Sequence, residues 1–144
     1  MPDMIPDPET YFRGFIPPRD ELLIELEQEA EQEHIPIVGP VVGEFLYILA
    51  KAMNCRAVLE LGTATGYSSI YLARGISNPE GILTTIERDE AMAVRARENI
   101  SKAGFADRVE VRVGEVSEVL ETLEGPYDLI FMDIEKEEDD PFWS

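Results

Sequence analysis

The chain has 144 residues, enough for one domain with a substantial core. Hydrophobic residues make up 44%, which excludes global disorder, while 30 acidic against 12 basic residues give a net charge of −18. That charge excludes nucleic acid or an anionic membrane as the main partner, and its plainest meaning is solubility.

Residues 1–19 carry five of the ten prolines and are expected to form an extended arm ahead of a single domain over 20–144. The opening MPDMIPDPET has neither the basic region nor the apolar stretch of a signal peptide. No apolar run in the chain is long enough to cross a bilayer, so the expected location is cytoplasmic.

DELLIELEQEAEQEH (20–34) predicts a helix capped by Asp20, with Leu22, Leu23 and Leu26 on its apolar side. IPIVGP interrupts the pattern, and Gly39 and Pro40 start a second helix through about Met53. In that helix Val41, Phe45, Leu49 and Ala52 recur at helical spacing. Cys55 is the only cysteine, so no intrachain disulfide can form, and its place before an apolar strand makes it a packing residue.

From residue 56 the texture becomes strand–helix alternation. Strands are expected over 56–61, 81–87, 108–113 and 127–133, with helices over 66–76, 89–103 and 115–125 between them. Asp89 caps the second of these helices and Gly104 stops it. Short connections of this kind predict an α/β domain, a Rossmann-like parallel sheet with helices on both faces, preceded by two N-terminal helices.

In such a sheet ligands bind beyond the carboxyl ends of the strands, where strand order reverses. Those ends carry Glu60–Gly66, Glu87, Gly114–Val116 and Asp133. LELGTATGYSS (59–69) runs a strand through glycine into a helix, which lets backbone N–H groups approach a ligand. A dinucleotide loop would be G-x-G-x-x-G, but Ala64 stands at its second glycine and the spacing is G-x-x-x-G, which disfavours NAD. Glu87 follows Gly62 by 25 positions, where an acid accepts hydrogen bonds from a ribose diol. Together they point to a nucleoside ligand without a pyrophosphate.

VLELGTATGYSS, TTIERDEAMAVRARENI, RVEVRVGEVSEVL and YDLIFMDIEK resemble the S-adenosylmethionine-dependent O-methyltransferases of the catechol and caffeoyl-CoA type. The likeness runs from about residue 36 to 136 and includes the IPIVGPVVGEFLYIL entry helix. The resemblance implies that Val38 lines the cofactor pocket. Glu60 and the backbone from Gly62 through Thr63 to Gly66 would hold the methionine part of S-adenosylmethionine, with Ser68 near its carboxylate. Glu87 would take the ribose, and Glu115 with the backbone N–H of Val116 the adenine. Val116 departs from the smaller residue many members carry there. Tyr67, an aromatic opening a helix, equally fits core packing.

The resemblance further implies that Asp133 binds a divalent metal, usually Mg²⁺, and that Lys136 is the general base. A lone lysine among acids is also what a solvated ion pair looks like. The chain stops before the later Asp-Asn pair and at least two further strands of that fold, so a C-terminally truncated domain is expected. Its 127–133 strand would be an exposed apolar edge, open to a second copy of the chain or to Phe142 and Trp143 folding back. The functional expectation is methyl transfer to a hydroxyl of a small catechol-like acceptor. The alternatives are a catalytically incomplete module that binds S-adenosylmethionine or S-adenosylhomocysteine, and a structural fragment that binds nothing.

Overall fold

The computed structural model describes residues 7–134. Its elements in chain order are α1 (Pro8–Arg13), α2 (Glu21–Glu33), α3 (Gly39–Ala52), β1 (Ala57–Leu61), α4 (Tyr67–Gly75), β2 (Ile82–Glu87), α5 (Glu90–Lys102), β3 (Val109–Val113), α6 (Val116–Leu120) and β4 (Leu129–Met132). All strand pairs are parallel, in the order β3-β2-β1-β4, so the chain steps outward from β1 in one direction and then returns to its other side. The α/β expectation holds.

The caps behave as their chemistry requires. Asp20 accepts from Leu23 N–H at 3.0 Å and Asp89 from Met92 N–H at 3.0 Å, each satisfying an orphan donor of the first turn. The extended arm over 1–19 is corrected for its described part. Asp7 accepts from Glu9 N–H and from the Thr10 hydroxyl, Pro8 sits where a missing N–H costs nothing, and Arg13 pairs with Glu9 one turn on. α6 is also shorter than the eleven residues expected, because Thr122 N–H and Oγ1 both turn back onto the Val119 carbonyl.

α3 buries a different face from the one its large residues suggested. Gly39, Pro40, Gly43, Leu46 and Ala50 face inward, whereas Phe45 is 60% exposed. The reason is close packing on α4: a Cβ on Gly43 would come within 2.4 Å of the Tyr71 ring. Small residues therefore form the buried stripe, and the large ones are left outside.

Alternation along β1 divides the core. Val58 joins Leu46, Ala50, Leu72 and Leu83 beneath α3 and α4, while Leu59 and Leu61 pack with Ile86 against Val119 and Leu120 of α6. A third cluster docks α2 onto α4 and α5 through Leu23, Leu26, Ile70 and Ile100. Each such Leu or Ile contributes about 1.5–3 kcal/mol by leaving water. Cys55 is buried and free, as its place before β1 implied. β4 pairs only with β1 among the described residues and exposes Ile130 and Met132. No described helix is long and apolar enough to cross a membrane.

Candidate functional site

Strand order reverses at β1, and the loops leaving β1, β2, β3 and β4 meet there. Their backbones are stitched together: Gly62 N–H donates to the Ile86 carbonyl at 2.9 Å, Gly114 N–H to Glu87 at 3.0 Å, and Asp133 N–H to Leu61 at 2.8 Å. Gly62 has φ +98°, and a Cβ there would lie 2.1 Å from the Asp133 carbonyl oxygen. Only glycine lets the end of β4 cross the loop this closely.

Ala64 is left-handed at φ 48°, a conformation that costs a residue with a side chain roughly 1–2 kcal/mol. Its N–H donates to Glu87 Oε1 at 3.0 Å, and Asp89 N–H donates to Oε2 at 2.9 Å. Two backbone donors to one carboxylate offset that cost. They also fix the orientation of a half-buried carboxylate whose remaining lone pairs are free for a diol.

Glu60 is wholly buried behind the loop. Ser68 Oγ donates to its Oε2 at 2.5 Å, Thr85 Oγ1 to its Oε1 at 2.8 Å, and Ser69 Oγ also to Oε1. The Thr85 proton is used on Glu60, so in the 2.7 Å contact between Thr63 Oγ1 and Thr85 Oγ1 the donor is Thr63. Burial pushes the Glu60 carboxyl up to about 7, against the pull of the three hydroxyls and with a smaller push from Asp133. Glu60 thus braces the loop from behind, and the hydroxyl protons of Thr63 and Ser68 are already engaged.

In front of the loop lies a cleft of about 200 Å³, its open mouth included. Pro36, Ile37 and Val38 form one wall. Gly62 to Ala64, the start of α4 at Tyr67 and Ser68, and Asp133 form the rest. Among the described residues its one charged lining group is the Asp133 carboxylate, which suits a cationic group better than a pyrophosphate. Partial enclosure raises the Asp133 carboxyl above the usual range.

Of the residues singled out from the sequence, Val38, Gly62, Thr63, Ser68 and Asp133 line this cleft. Glu87 is joined to it through Ala64, and Glu115 and Val116 to Glu87 through Gly114. Val116 spends its side chain on the Leu59 cluster, leaving its N–H at the uncapped start of α6. Gly66, at φ 89°, opens α4. Pro36 and Ile37 were not singled out, although they adjoin Val38. Glu27 was missed as well: it accepts from Tyr67 Oη at 2.9 Å across 40 residues of sequence, with no local pattern to betray it.

The described residues fit a nucleoside sulfonium: a cleft with one carboxylate, a glycine cradle and an oriented Glu87. They do not by themselves fit a metal ion, because no group of three or more His, Cys, Asp or Glu converges among them. Lys136, the acids after it, Phe142 and Trp143 lie outside the described residues.

The O-methyltransferase family model matches residues 17–143. The catechol O-methyltransferase of Mycobacterium tuberculosis is 50% identical over 96 residues, 66% of this chain and 43% of that protein. The matched segment is therefore less than half the length of that curated relative. Two solved structures superpose well. The O-methyltransferase from Bacillus cereus in complex with SAH gives a TM-score of 0.78 at 38% identity, covering 86% of this chain and 59% of that one. TomG from Streptomyces achromogenes, in complex with SAM, gives 0.79 at 36% identity, with 87% and 58% covered.

Proposed function

The chain belongs to the O-methyltransferase family, and from that premise we propose that it binds S-adenosylmethionine across the ends of β1, β2 and β3 and methylates a hydroxyl of a small catechol-like acceptor. The observation that carries the reading is Glu87. Its two oxygens are each held by one backbone N–H, one of them from the left-handed loop, and so are aimed before any ligand arrives. A carboxylate held this way matches two adjacent hydroxyls, and the neighbouring cleft, lined by the glycine loop and the start of α4, adjoins it on the side proposed for the methionine end.

When bound, the cofactor supplies an electrophilic methyl group on a sulfonium. The chain's own residues do the rest. Glu87 takes the ribose, Val38 and the Gly62–Ser68 segment enclose the methionine end, and Glu115 with the N–H of Val116 flanks the base. Glu60, braced by three hydroxyls, keeps the loop in place from behind. Lys136 is proposed as the base that removes the acceptor's hydroxyl proton. Mg²⁺ assistance would draw on Asp133, but a single described carboxylate is not a metal site, so no step is assigned to it.

Calorimetric titration with S-adenosylhomocysteine tests the reading. Micromolar binding is expected in the wild type, with loss of about a hundredfold in Glu87→Ala, since removing paired charge-assisted bonds costs about 3 kcal/mol. An Ala variant that binds like the wild type defeats it. Turnover of a vicinal diol then separates an enzyme from a binding module. The module predicts chelator-insensitive binding and no product. A second copy of the chain is the proposed cover for β4, and sedimentation of the chain as a monomer at micromolar concentration would exclude it.

A further inference from the structure

Three arginines form ion pairs with α2 and the residue capping it. Two lie at the surface: Arg95 of α5 pairs with Glu29 and Glu33, and Arg74 of α4 pairs with Asp20. The third, Arg19, has the least exposed carboxylate partner. Arg19 Nε donates to both oxygens of Glu27, at 3.0 and 2.7 Å, and the Glu27 side chain is only 17% exposed. Its Oε2 also accepts from Tyr67 Oη at 2.9 Å.

Tyr67 differs from every other residue these pairs reach. It is the first residue of α4, directly after Gly66, and it lines the cleft. Its ring is 2% exposed and meets Tyr71 edge to face at 5.3 Å between centroids. A buried phenol needs a partner for its proton, and a poorly solvated carboxylate needs a cation. Arg19 and Tyr67 thus meet both needs of Glu27 at once, with Tyr71 packed beside the same ring.

We propose that Glu27 is a positioning residue for the cofactor cleft: gripped by Arg19, it holds the Tyr67 hydroxyl and so fixes the ring that walls the cleft beside the glycine loop. Affinity for the methionine end of the ligand is thereby set in part by residues that never touch it, in α2 and just before it. The proposal rests on the cleft being the cofactor's site.

The test is calorimetric titration of S-adenosylhomocysteine into the full chain as wild type, Glu27→Gln, Tyr67→Phe, the double variant and Arg95→Ala. Glu27→Gln and Tyr67→Phe are each expected to weaken binding by about tenfold, the cost of one strong buried hydrogen bond. The double variant is expected to bind no more weakly than Tyr67→Phe alone. Arg95→Ala, which loosens α2 without touching the cleft, is expected to lower the melting temperature and leave affinity unchanged. Wild-type affinity in Glu27→Gln, multiplying effects in the double variant, or an equal loss in Arg95→Ala would each overturn the proposal. If Glu27→Gln does not fold, Arg19→Lys takes its place with the same expectations, because lysine keeps the charge and loses the planar guanidinium. A wild type that fails to bind overturns the cofactor reading itself; normal wild-type binding with unaltered variants overturns only the role of Glu27.

Discussion

Where β1, β2 and β3 end, backbone N–H groups of Gly62, Ala64 and Gly114 each find a fixed acceptor, and the half-buried carboxylate of Glu87 is held from two sides. Where β4 ends, Asp133 is fixed among the described residues only through its backbone, and its carboxylate has no described acid, histidine or cysteine cluster around it. One end of the crevice is made by main-chain geometry, the other by a single side chain. Main-chain geometry cannot be lost one residue at a time without disturbing the fold, whereas a side chain can. Variants should therefore affect folding and ligand affinity together at the first end, and separate them at the second.

The sharpest way to break this contrast is Gly62→Ala. A methyl group 2.1 Å from the Asp133 carbonyl, on a residue with φ +98°, must push the end of β4 off the loop. Destabilisation of about 3 kcal/mol or more is expected in chemical denaturation, together with loss of ligand binding. A variant with wild-type stability would show that the two ends are not joined there.

Next comes Glu60→Gln. The buried carboxyl has its proton affinity raised from an ordinary value near 4.5 to about 7, so the folded state binds the proton more tightly than the unfolded chain. That stabilisation is complete below about pH 4.5 and is lost as pH rises through 7. The difference amounts to about 3 kcal/mol by linkage. Urea midpoints should fall from pH 5 to pH 8 in the wild type and fall much less in the Gln variant. Asp133 is displaced in the same direction, so the difference between the two proteins isolates Glu60. Equal slopes would mean that Glu60 stays ionised.

Thr65→Val should act in the opposite sense. Thr65 is fully buried, and its hydroxyl has no hydrogen-bond partner among the described residues. Replacing it with an apolar group of the same shape should add about 1 kcal/mol, a rise of roughly 3 °C in melting temperature. A fall would reveal a partner for Oγ1, such as an ordered water. The smallest expected effect on binding belongs to Asp133→Ala: a change of no more than about threefold in the dissociation constant for S-adenosylhomocysteine, which lacks the sulfonium charge that this partly enclosed carboxylate would face. Turnover of a vicinal diol should drop by well over tenfold if the acceptor end needs this carboxylate.

The sequence made the first end legible because its signals are local. A strand running into G-x-x-x-G, an acid at the next strand end and aspartate caps at the helix starts are all written within a few residues. What stayed hidden depends on contact across the chain. Large residues on α3 looked like its core face, yet the tight approach of Tyr71 to Gly43 puts the small ones inside. Proline content suggested an extended arm, although Asp7 and Pro8 already spelled a helix start. Glu27 read as one more acid on a solvated helix until Tyr67 and Arg19 were seen to converge on it.

The bond from Ala64 to Glu87 has a kinetic consequence. The loop is folded around its own carboxylate before a ligand comes, so little ordering remains to be done on arrival. Association should then follow a single exponential whose rate rises linearly with ligand concentration, without the plateau that a slow loop rearrangement would impose.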